Sequence, residues 1–366
     1  MSISQLSITQ LRNLASLKLE LSPQTNLFYG PNGSGKTSIL EAVHLLSLAR
    51  SFRTNKHKHY IQHQQPESVL FARVKGPQGE LPVGFQRSQD ASLKVRIGGE
   101  PIDAVAELAE LVPIQLINSD TFRLLEGSPS IRRQYIDWGG FHLESRFMAA
   151  WKAVRRALSQ RNSLLKYGKL EPSVRAAWDR EFIDRANELD GYRRTYLEQL
   201  IPCFERLLAE LVELDQLSLH YHCGWDQKKG LDQVLEQGFE RDRQLGFTQQ
   251  GPQRADLKVK MRGMLASEVL SRGQQKLVVS ALKVAQGYLL RQQTERRCIY
   301  LIDDLPAELD RHHRQRLCRL LEQLDSQVLV TSTDREAFEG CWSEQVEVRE
   351  FPIRNGALAN IEGNGS

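Results

Sequence analysis

The octapeptide GPNGSGKT, residues 30–37, constrains the fold more strongly than any other part of the chain. It follows a short apolar run that ends at Tyr29, and it precedes a stretch whose apolar residues recur at helical spacing. It fits the pattern G-x-x-x-x-G-K-[ST] at every fixed position. A strand that turns through glycines into a helix directs several unpaired N–H groups at one point, where the helix dipole also favours an anion. The octapeptide therefore predicts a phosphate-binding loop.

Each fixed position of this loop has a chemical role. Glycines lack a Cβ atom, so the backbone can turn tightly and approach a phosphate closely. We expect the Lys36 ammonium to reach the β- and γ-phosphates, and the Thr37 hydroxyl to bind Mg²⁺. A glycine-rich turn with an incidental lysine is the alternative, which the flanking strand and helix patterns disfavour. The candidate ATP-binding residues are Arg12, Asn13, Gly30, Pro31, Asn32, Gly33, Ser34, Gly35, Lys36 and Thr37.

The composition limits the kind of protein that carries this loop. The chain has 366 residues, of which 40% are hydrophobic and 26% charged, as in ordinary globular domains. Its five cysteines show no C-x-x-C spacing, which argues against a zinc site or a disulfide framework and favours a reducing cytoplasm. No secretory signal and no apolar stretch of membrane-spanning length is present. We therefore expect a cytoplasmic protein with no membrane partner.

A second apolar run, CIYLIDD at residues 298–304, ends in two carboxylates. In nucleotide-binding domains with a phosphate loop, a strand beside the loop delivers a carboxylate to the Mg²⁺ shell. We expect Asp303 to take this role, and Asp304 to act as the general base for the water that attacks the γ-phosphate. Aspartate has one methylene fewer than glutamate, so slow hydrolysis is expected. An acidic strand end that faces solvent is the alternative.

The segment LSRGQQKL, residues 270–277, joins a serine to the start of a helical pattern. It resembles the signature motif of ABC-type ATPases, in which a serine and a helix N-terminus contact the γ-phosphate of a nucleotide held by another subunit. An ordinary helix cap is the alternative. The candidates for this contact are Ser271, Arg272, Gly273 and Gln274, so the catalytic candidates are Lys36, Asp304 and Ser271. AELD (307–310) resembles the D-loop, and VLVTSTD (328–334) resembles the following switch segment.

Between these motifs lies a long stretch of helical character. Residues 1–126 and 251–366 are predicted to form a discontinuous head, and residues 127–250 a mainly helical arm. Phe147, Trp151, Val154 and Leu158 keep the helical period and should bury one helical face. Pro172 and Pro202 are predicted to mark helix ends.

The motifs, in this order, resemble the RecF family of bacterial recombination and replication-gap repair ATPases over nearly the full length. The matching segments are YGPNGSGKTSILEA, SFRT, LLEGSPSIRRQYIDWGGFH, FERDRQLGFTQQGPQRADL, LSRGQQKL and LIDDLPAELD. The resemblance implies an α/β fold, with an ABC-type P-loop ATPase head, a mixed sheet, an antiparallel N-terminal subdomain and an inserted helical arm. Gln253 stands where the family ordinarily carries histidine, which leaves the role of that loop open.

The resemblance also implies a function. ATP binding would drive formation of a homodimer on DNA, and slow, DNA-dependent hydrolysis would release it. RecO and RecR would be partners in loading recombinase at gaps and in supporting SOS induction. An SMC-like architectural head and the ATPase subunit of an ABC transporter are the alternatives. The short helical region and the missing Cys-x-x-Cys hook count against the first, and a basic run in the arm counts against the second.

That basic run supplies the main candidates for DNA contact. Between Glu144 and Glu171 no acidic residue occurs, while the basic residues are Arg146, Lys152, Arg155, Arg156, Arg161, Lys166 and Lys169. Lys152, Arg155 and Arg156 are spaced to form one basic helical face, which we place opposite the Trp151 stripe. A solvated helix face is the alternative. A second basic patch follows the predicted phosphate-loop helix and comprises Arg50, Arg53, Lys56 and Lys58. No base-reading motif is visible, so sequence preference is not expected.

Overall fold

The computed structural model describes residues 1–76, 79–167 and 171–359. Its contacts divide the chain into two compact units. The first unit comprises Met1–Thr121, Leu207–Val212 and Lys276–Ser366, and the second comprises Phe122–Arg206 and Glu213–Gln275. These units group residues 251–275 with the helical part, whereas the sequence analysis assigned them to the head. The division at 126/127 and 250/251 stays a prediction.

Among the described residues, strands and helices alternate along the chain. The strands are β1 (Ser2–Leu11), β2 (Leu14–Glu20), β3 (Thr25–Tyr29), β4 (Glu67–Gly76), β5 (Gly79–Ser88), β6 (Leu93–Ile97), β7 (Glu100–Pro101), β8 (Ile114–Ile117), β9 (Leu217–His222), β10 (Asp256–Met261), β11 (Met264–Leu265), β12 (Ile299–Ile302), β13 (Gln327–Ser332), β14 (Val348–Arg354) and β15 (Ala357–Leu358). The helices are α1 (Lys36–Leu48), α2 (Val105–Leu111), α3 (Arg123–Glu126), α4 (Pro129–Leu143), α5 (Phe147–Tyr167), α6 (Pro172–Leu211), α7 (Leu231–Leu245), α8 (Ala266–Val269), α9 (Arg272–Thr294), α10 (Leu305–Glu308) and α11 (Arg311–Gln323). No helix in this part of the chain has the length and apolar character needed to cross a bilayer.

The first unit contains two six-stranded sheets. One is antiparallel, with the order β2-β1-β4-β5-β6-β7, and β1 and β2 form its N-terminal hairpin. The other is mixed, with the order β15-β14-β3-β13-β12-β8, and β14, β3, β13, β12 and β8 pair in parallel. In a parallel sheet the carboxyl ends of neighbouring strands meet at one edge. The α/β fold with a mixed sheet and an antiparallel N-terminal part is confirmed.

Helix α1 is buried on nearly all sides, as expected of a helix enclosed by the core. Its apolar residues, among them Ile39, Leu40 and Val43, pack in one cluster with side chains of both sheets. In that cluster the rings of Phe28 and Phe351 stack at a centroid distance of 5.0 Å. Because only Tyr29 separates Phe28 from the phosphate loop, this packing fixes the direction from which the chain enters the loop.

The second unit is mainly helical and contains the three-stranded sheet β11-β10-β9. Its core joins α5 and α6 with Trp225 and α7, and Phe147 and Val154 of the predicted stripe are buried in it, with Trp151 and Leu158 packed against it. The stripe is therefore confirmed. The buried Arg193 and the partly buried Asp137 form an ion pair in this unit, with Nε and Oδ1 at 2.8 Å.

Pro172 begins helix α6, as predicted, but the expectation that Pro202 ends a helix is wrong. Helix α6 continues through Pro202 to Leu211. A proline inside a helix removes one backbone hydrogen bond and crowds the preceding turn. Leu200 and Phe204, on either side of it, are both 0% exposed. The burial of these side chains offsets the cost of the proline.

A glycine pair tests this packing. A Cβ atom added at Gly139 in α4 would lie 1.9 Å from Cζ of the buried Tyr196, whereas at Gly191 in α6 it would meet no atom within 4 Å. Gly139→Ala should therefore lower the free energy of unfolding by about 2 kcal/mol through overpacking. Gly191→Ala should raise it by about 0.5–1 kcal/mol, because alanine favours a helix more than glycine does. Urea unfolding of both variants checks the pair, and equal effects would contradict it.

Candidate nucleotide-binding site

The predicted loop lies in the first unit, between β3 and α1, and borders an open cavity of about 480 Å³. The cavity-lining residues are Arg12, Asn13, Asn32, Gly33, Ser34, Gly35, Lys36, Thr37, Ser38, Arg53, Asp303, Asp304, Thr331 and Thr333. Residues from both ends of the sequence thus meet at one place. Gly30 and Pro31 belong to the loop but do not line the cavity.

Two glycines of the loop are required by what surrounds them. Gly30 has a φ of 146°, and a Cβ atom there would lie 2.1 Å from the Ile353 carbonyl oxygen. Gly35 has a φ of 112°, and a Cβ atom there would lie 2.7 Å from Cδ2 of Leu14. Both conformations are of the kind that glycine adopts without strain. The strand β14 and the N-terminal hairpin therefore pack directly against the loop.

Lys36 lies at the start of α1, and its ammonium is held by the loop itself. Its Nζ donates hydrogen bonds to the Gly30 carbonyl oxygen at 2.7 Å and the Pro31 carbonyl oxygen at 3.0 Å. Burial lowers the pKa of Lys36, and the carboxylates of Asp304 and Asp303 act in the opposite direction. A positive charge that is held by two neutral carbonyl oxygens is well placed to bind an anion.

Asp303 connects three elements at the carboxyl edge of the mixed sheet. Its Oδ1 accepts hydrogen bonds from the Thr37 hydroxyl at 2.9 Å and the Thr331 hydroxyl at 2.8 Å. The parallel pairing of β12 with β13 places the ends of these strands side by side. Carboxylate and hydroxyl oxygens are ligands that Mg²⁺ accepts in phosphate-loop proteins. The Thr37–Asp303 pair therefore fits the predicted metal site.

Asp304, the predicted general base, lines the cavity directly after Asp303. It has a φ of 52° and precedes α10, and its backbone N–H donates to the Thr331 hydroxyl at 2.8 Å. Burial raises the pKa of Asp304, and the neighbouring Asp303 carboxylate raises it further. A carboxylate with a raised pKa is a better proton acceptor than one fully exposed to water.

Glu41 is a residue beside the cavity that the sequence analysis missed. Its side chain is wholly buried on α1. It accepts two hydrogen bonds from Arg12, Nε to Oε2 at 2.9 Å and Nη2 to Oε1 at 2.8 Å. It also accepts a hydrogen bond from the Ser51 hydroxyl, and Nη1 of Arg53 lies 3.6 Å from Oε2. Glu41 therefore positions two guanidinium groups that line the cavity. The sequence does carry a signal for Glu41, which is an acidic residue within the apolar pattern of α1.

Asn13, also predicted, holds the loop from the hairpin side. Its Nδ2 donates to the Gly33 carbonyl oxygen at 2.9 Å, and its Oδ1 accepts from the Ser38 hydroxyl at 3.3 Å. Of the second basic patch, Arg53 lines the cavity, whereas Arg50 is exposed and does not line it. These two residues of the patch therefore lie in different places, Arg53 at the cavity and Arg50 at the surface.

In the second unit, Ser271 caps the exposed start of α9. The Ser271 hydroxyl accepts from the Gln274 N–H at 3.3 Å, and the Gln274 side chain accepts from the Ser271 N–H at 3.0 Å. This is a capping box. Ser271, Arg272 and Gly273 are exposed. The helix-cap alternative is thus present in the structure, and contact with a second subunit's nucleotide stays a prediction.

Lys152, Arg155 and Arg156 are exposed on α5, and among the described residues none of them forms an ion pair. Their expected place opposite the Trp151 stripe is wrong for Arg155, whose Cζ lies 4.7 Å from the centre of the Trp151 ring. Residues four apart on a helix are neighbours on one face. The side chains of Trp151 and Arg155 nevertheless both reach the surface.

Two further members of the basic run behave differently. Arg161 is buried, with Nε 2.7 Å from Asp179 and Nη1 2.9 Å from Asp242, so it is a structural residue. Lys169 lies outside the described residues. The basic run therefore offers fewer residues for DNA contact than its sequence suggested.

Known proteins resemble the chain in sequence over nearly its whole length. The family described as RecF/RecN/SMC N terminal domain matches residues 2–353. A protein of Azotobacter vinelandii, named DNA replication and repair protein RecF, is 50% identical over 359 residues, which cover 98% of each chain. A protein of Stutzerimonas stutzeri with the same name is 50% identical over 364 residues, covering 99% of this chain and 98% of that protein.

Solved structures agree with this match. The recombination mediator protein RecF-ATP in the RecFOR pathway superposes with a TM-score of 0.83 at 24% identity, covering 98% of this chain and 97% of that one. An SMC head bound to the C-winged helix domain of ScpA superposes with a TM-score of 0.61 at 13% identity, covering 98% and 96%. At these identities the superpositions establish the fold. With its phosphate loop, its paired carboxylates and half of its residues identical to those relatives, the chain belongs to the RecF family of DNA replication and repair proteins.

Proposed function

We propose that this chain is an ATP-dependent DNA-binding protein of recombinational repair and replication-gap processing. In this proposal an ATP-bound homodimer clamps DNA and slow hydrolysis releases it. With RecO and RecR the protein would help to load recombinase and support SOS induction, acting in the cytoplasm where bacterial DNA is found. The observation that carries the proposal is the Asp303 carboxylate, joined to Thr37 of the phosphate loop and placed in one cavity with Lys36.

Binding of the nucleotide follows from the groups that line this cavity. The loop N–H groups and the N-terminus of α1 would hold the phosphates, and Lys36 would exchange its carbonyl contacts for phosphate oxygens. Arg12 and Arg53, positioned by Glu41, would add two cations at the cavity wall. When bound, Mg²⁺ would neutralise phosphate charge, and Thr37 and Asp303 are the residues that would hold it.

Hydrolysis would depend on Asp304. Its carboxylate would accept the proton of the attacking water, and its raised pKa favours that transfer. The side chain is short, so we expect weak ATPase activity that serves as a switch rather than as rapid turnover. The exposed N-terminus of α9, with Ser271, Arg272, Gly273 and Gln274, would meet the γ-phosphate held by a second copy. The site would then be complete only in a dimer.

The exposed face of α5 is the proposed DNA surface. Lys152, Arg155 and Arg156 present three positive charges with no acidic partner among the described residues. Such charges bind phosphates and release counterions, without reading sequence. Arg50 is a secondary candidate, and Arg53 is better placed for the nucleotide because it lines the cavity.

The first test concerns ATP binding. Lys36→Ala removes a cation whose hydrogen bonds to phosphate are each worth about 1.5–3 kcal/mol. ATP should therefore bind roughly tenfold to hundredfold more weakly, measured by calorimetric titration. Lys18→Ala, which removes an exposed lysine of β2, is the matched control and should bind ATP normally. Unchanged affinity in Lys36→Ala would exclude the proposed role of the loop.

The second test separates binding from hydrolysis. Asp304→Asn keeps a residue type that tolerates a positive φ but cannot accept the proton of the water. ATP should bind normally, turnover should fall by roughly 100-fold to 10,000-fold, and the dimer should accumulate on DNA in sedimentation. Asp325→Asn, at an exposed ion pair with Arg297, makes the same chemical change elsewhere and should leave turnover intact. Normal turnover in Asp304→Asn would rule out Asp304 as the base.

The third test concerns DNA. Arg155→Glu combined with Arg156→Glu should weaken DNA binding and flatten its salt dependence, while ATP binding stays intact. Fluorescence anisotropy at several salt concentrations measures both quantities. Lys94→Glu combined with Arg96→Glu, on exposed positions of β6, gives the same change in net charge. If both double variants lose affinity equally, net charge alone is responsible and α5 is not the DNA surface.

A further inference from the structure

An exposed apolar patch lies in the second unit, where the end of α5 meets the end of α7. It consists of Tyr167, the last residue of α5, and of Leu245 and Phe247, which are 78%, 48% and 40% exposed. Nζ of Lys166 lies 4.9 Å from the centre of the Tyr167 ring. Cγ of Lys166 would lie 3.6 Å from a Cβ atom added at Gly246, the residue between the other two members. Large apolar side chains that are exposed together mark a contact surface.

A polar network holds the chain after α7 against α5. Arg161 donates from Nη1 to Oδ2 of Asp242 at 2.9 Å and to the Thr248 hydroxyl at 2.6 Å. Oδ1 of Asn162 accepts a hydrogen bond from the Thr248 N–H at 2.8 Å. Arg161, Asp242 and Thr248 are all buried. Because its neighbour Thr248 is fixed in this way, Phe247 is presented to solvent from an ordered backbone, which lowers the entropy cost of binding a ligand there.

The basic face of α5 leads to this patch. Lys166 follows Arg155 by 11 residues and Lys152 by 14, and all three are exposed. These steps are close to whole numbers of turns, so the three cations lie on nearly the same side of the helix, over roughly 21 Å of its length. No Asp or Glu occurs between Glu144 and Glu171. The cations therefore provide a path for a phosphate backbone that ends at the apolar patch.

Single-stranded DNA fits this combination better than a duplex or a protein does. Unpaired bases expose their faces, and exposed aromatic rings bind those faces by stacking. In a duplex the bases stack on one another, so their faces are closed to such rings. A stable protein partner would cover about 800 Å² of this surface, whereas the patch has three apolar side chains and is bordered by cations. Cations beside aromatic rings complement the charge and the bases of a single strand.

We propose that the patch binds unpaired bases of single-stranded DNA. The bases stack on Tyr167 and Phe247, while the phosphates follow Lys152, Arg155 and Lys166. This inference rests on the proposed DNA binding by α5 and adds a site for unpaired bases at the end of that surface. Every base has an aromatic face, so the site responds to whether the DNA is unpaired and not to its sequence.

The test compares oligothymidylate with a duplex of equal length, each bound to the full chain in the presence of ATP. Tyr167→Ala combined with Phe247→Ala should weaken oligothymidylate binding roughly fivefold to a hundredfold in fluorescence anisotropy, as expected for the loss of one stacked base. Duplex affinity should not change. The salt dependence of oligothymidylate binding should not change either, because no cation is removed. Leu81→Ala combined with Val105→Ala, which shortens exposed apolar side chains of the first unit, is the matched control and should bind both DNAs normally.

Two further variants separate stacking from apolar contact. Tyr167→Phe combined with Phe247→Tyr keeps both rings and should retain the affinity for oligothymidylate. Tyr167→Leu combined with Phe247→Leu keeps apolar side chains without rings and should lose affinity as the alanine pair does. An oligonucleotide that carries 5-iododeoxyuridine should form a photocrosslink to one of these two positions in the unaltered chain, located by peptide mass mapping. Full affinity in the leucine variant would exclude stacking.

The alanine pair also decides between this proposal and its alternatives. Unchanged oligothymidylate binding, or an equal loss for oligothymidylate and duplex, would overturn the proposal. A change in the sedimentation of the DNA-free protein would show that the patch contacts a second copy, and would overturn it as well. Failure of the proposed DNA surface would look different, because Arg155→Glu combined with Arg156→Glu would then leave duplex binding unchanged.

Discussion

The hydrogen bonds that converge on Asp303 are the constraint on which the rest of the nucleotide cavity depends. Thr37 belongs to the phosphate loop, Asp303 follows β12, and Thr331 lies in β13, so one carboxylate oxygen joins three segments that are distant in sequence. The contact requires β12 and β13 to be parallel neighbours in register, which they are. The sheet order therefore determines the chemistry, because another order would separate the carboxylate from the loop.

A second buried carboxylate, Glu41, organises the opposite wall. A buried acid is stable only when it is paired and hydrogen-bonded, and Glu41 satisfies this with Arg12, Ser51 and Arg53. The same contacts orient two guanidiniums towards the space where phosphates would lie. Removing Glu41 would therefore take away the carboxylate that pairs with both cations and would also disturb the core around α1.

The sequence predicted what local chemistry determines and missed what depends on tertiary contacts. The phosphate loop, β3, α1 and the strand before Asp303 were predicted because glycines, a lysine and apolar periodicity mark them directly. Thr331 was not identified as a partner of Asp303, because that contact depends on strand order. Pro202 inside α6 and the buried Arg161 were misjudged because both depend on tertiary contacts that no local pattern shows. Buried side chains flank the proline, and two carboxylates pair with Arg161.

The backbone at Asp304 gives a reason for the short carboxylate at this position. Residues with a positive φ are strained unless they are glycine, asparagine or aspartate, and Asp304 has a φ of 52° that its N–H bond to Thr331 helps to hold. A glutamate would carry its carboxylate further towards the water, but its backbone would be more strained at this φ. Aspartate therefore tolerates this backbone conformation, but its carboxylate reaches less far than that of glutamate. Slow hydrolysis would then follow from the geometry of the turn. A clamp that stays bound to ATP for a long time requires slow hydrolysis.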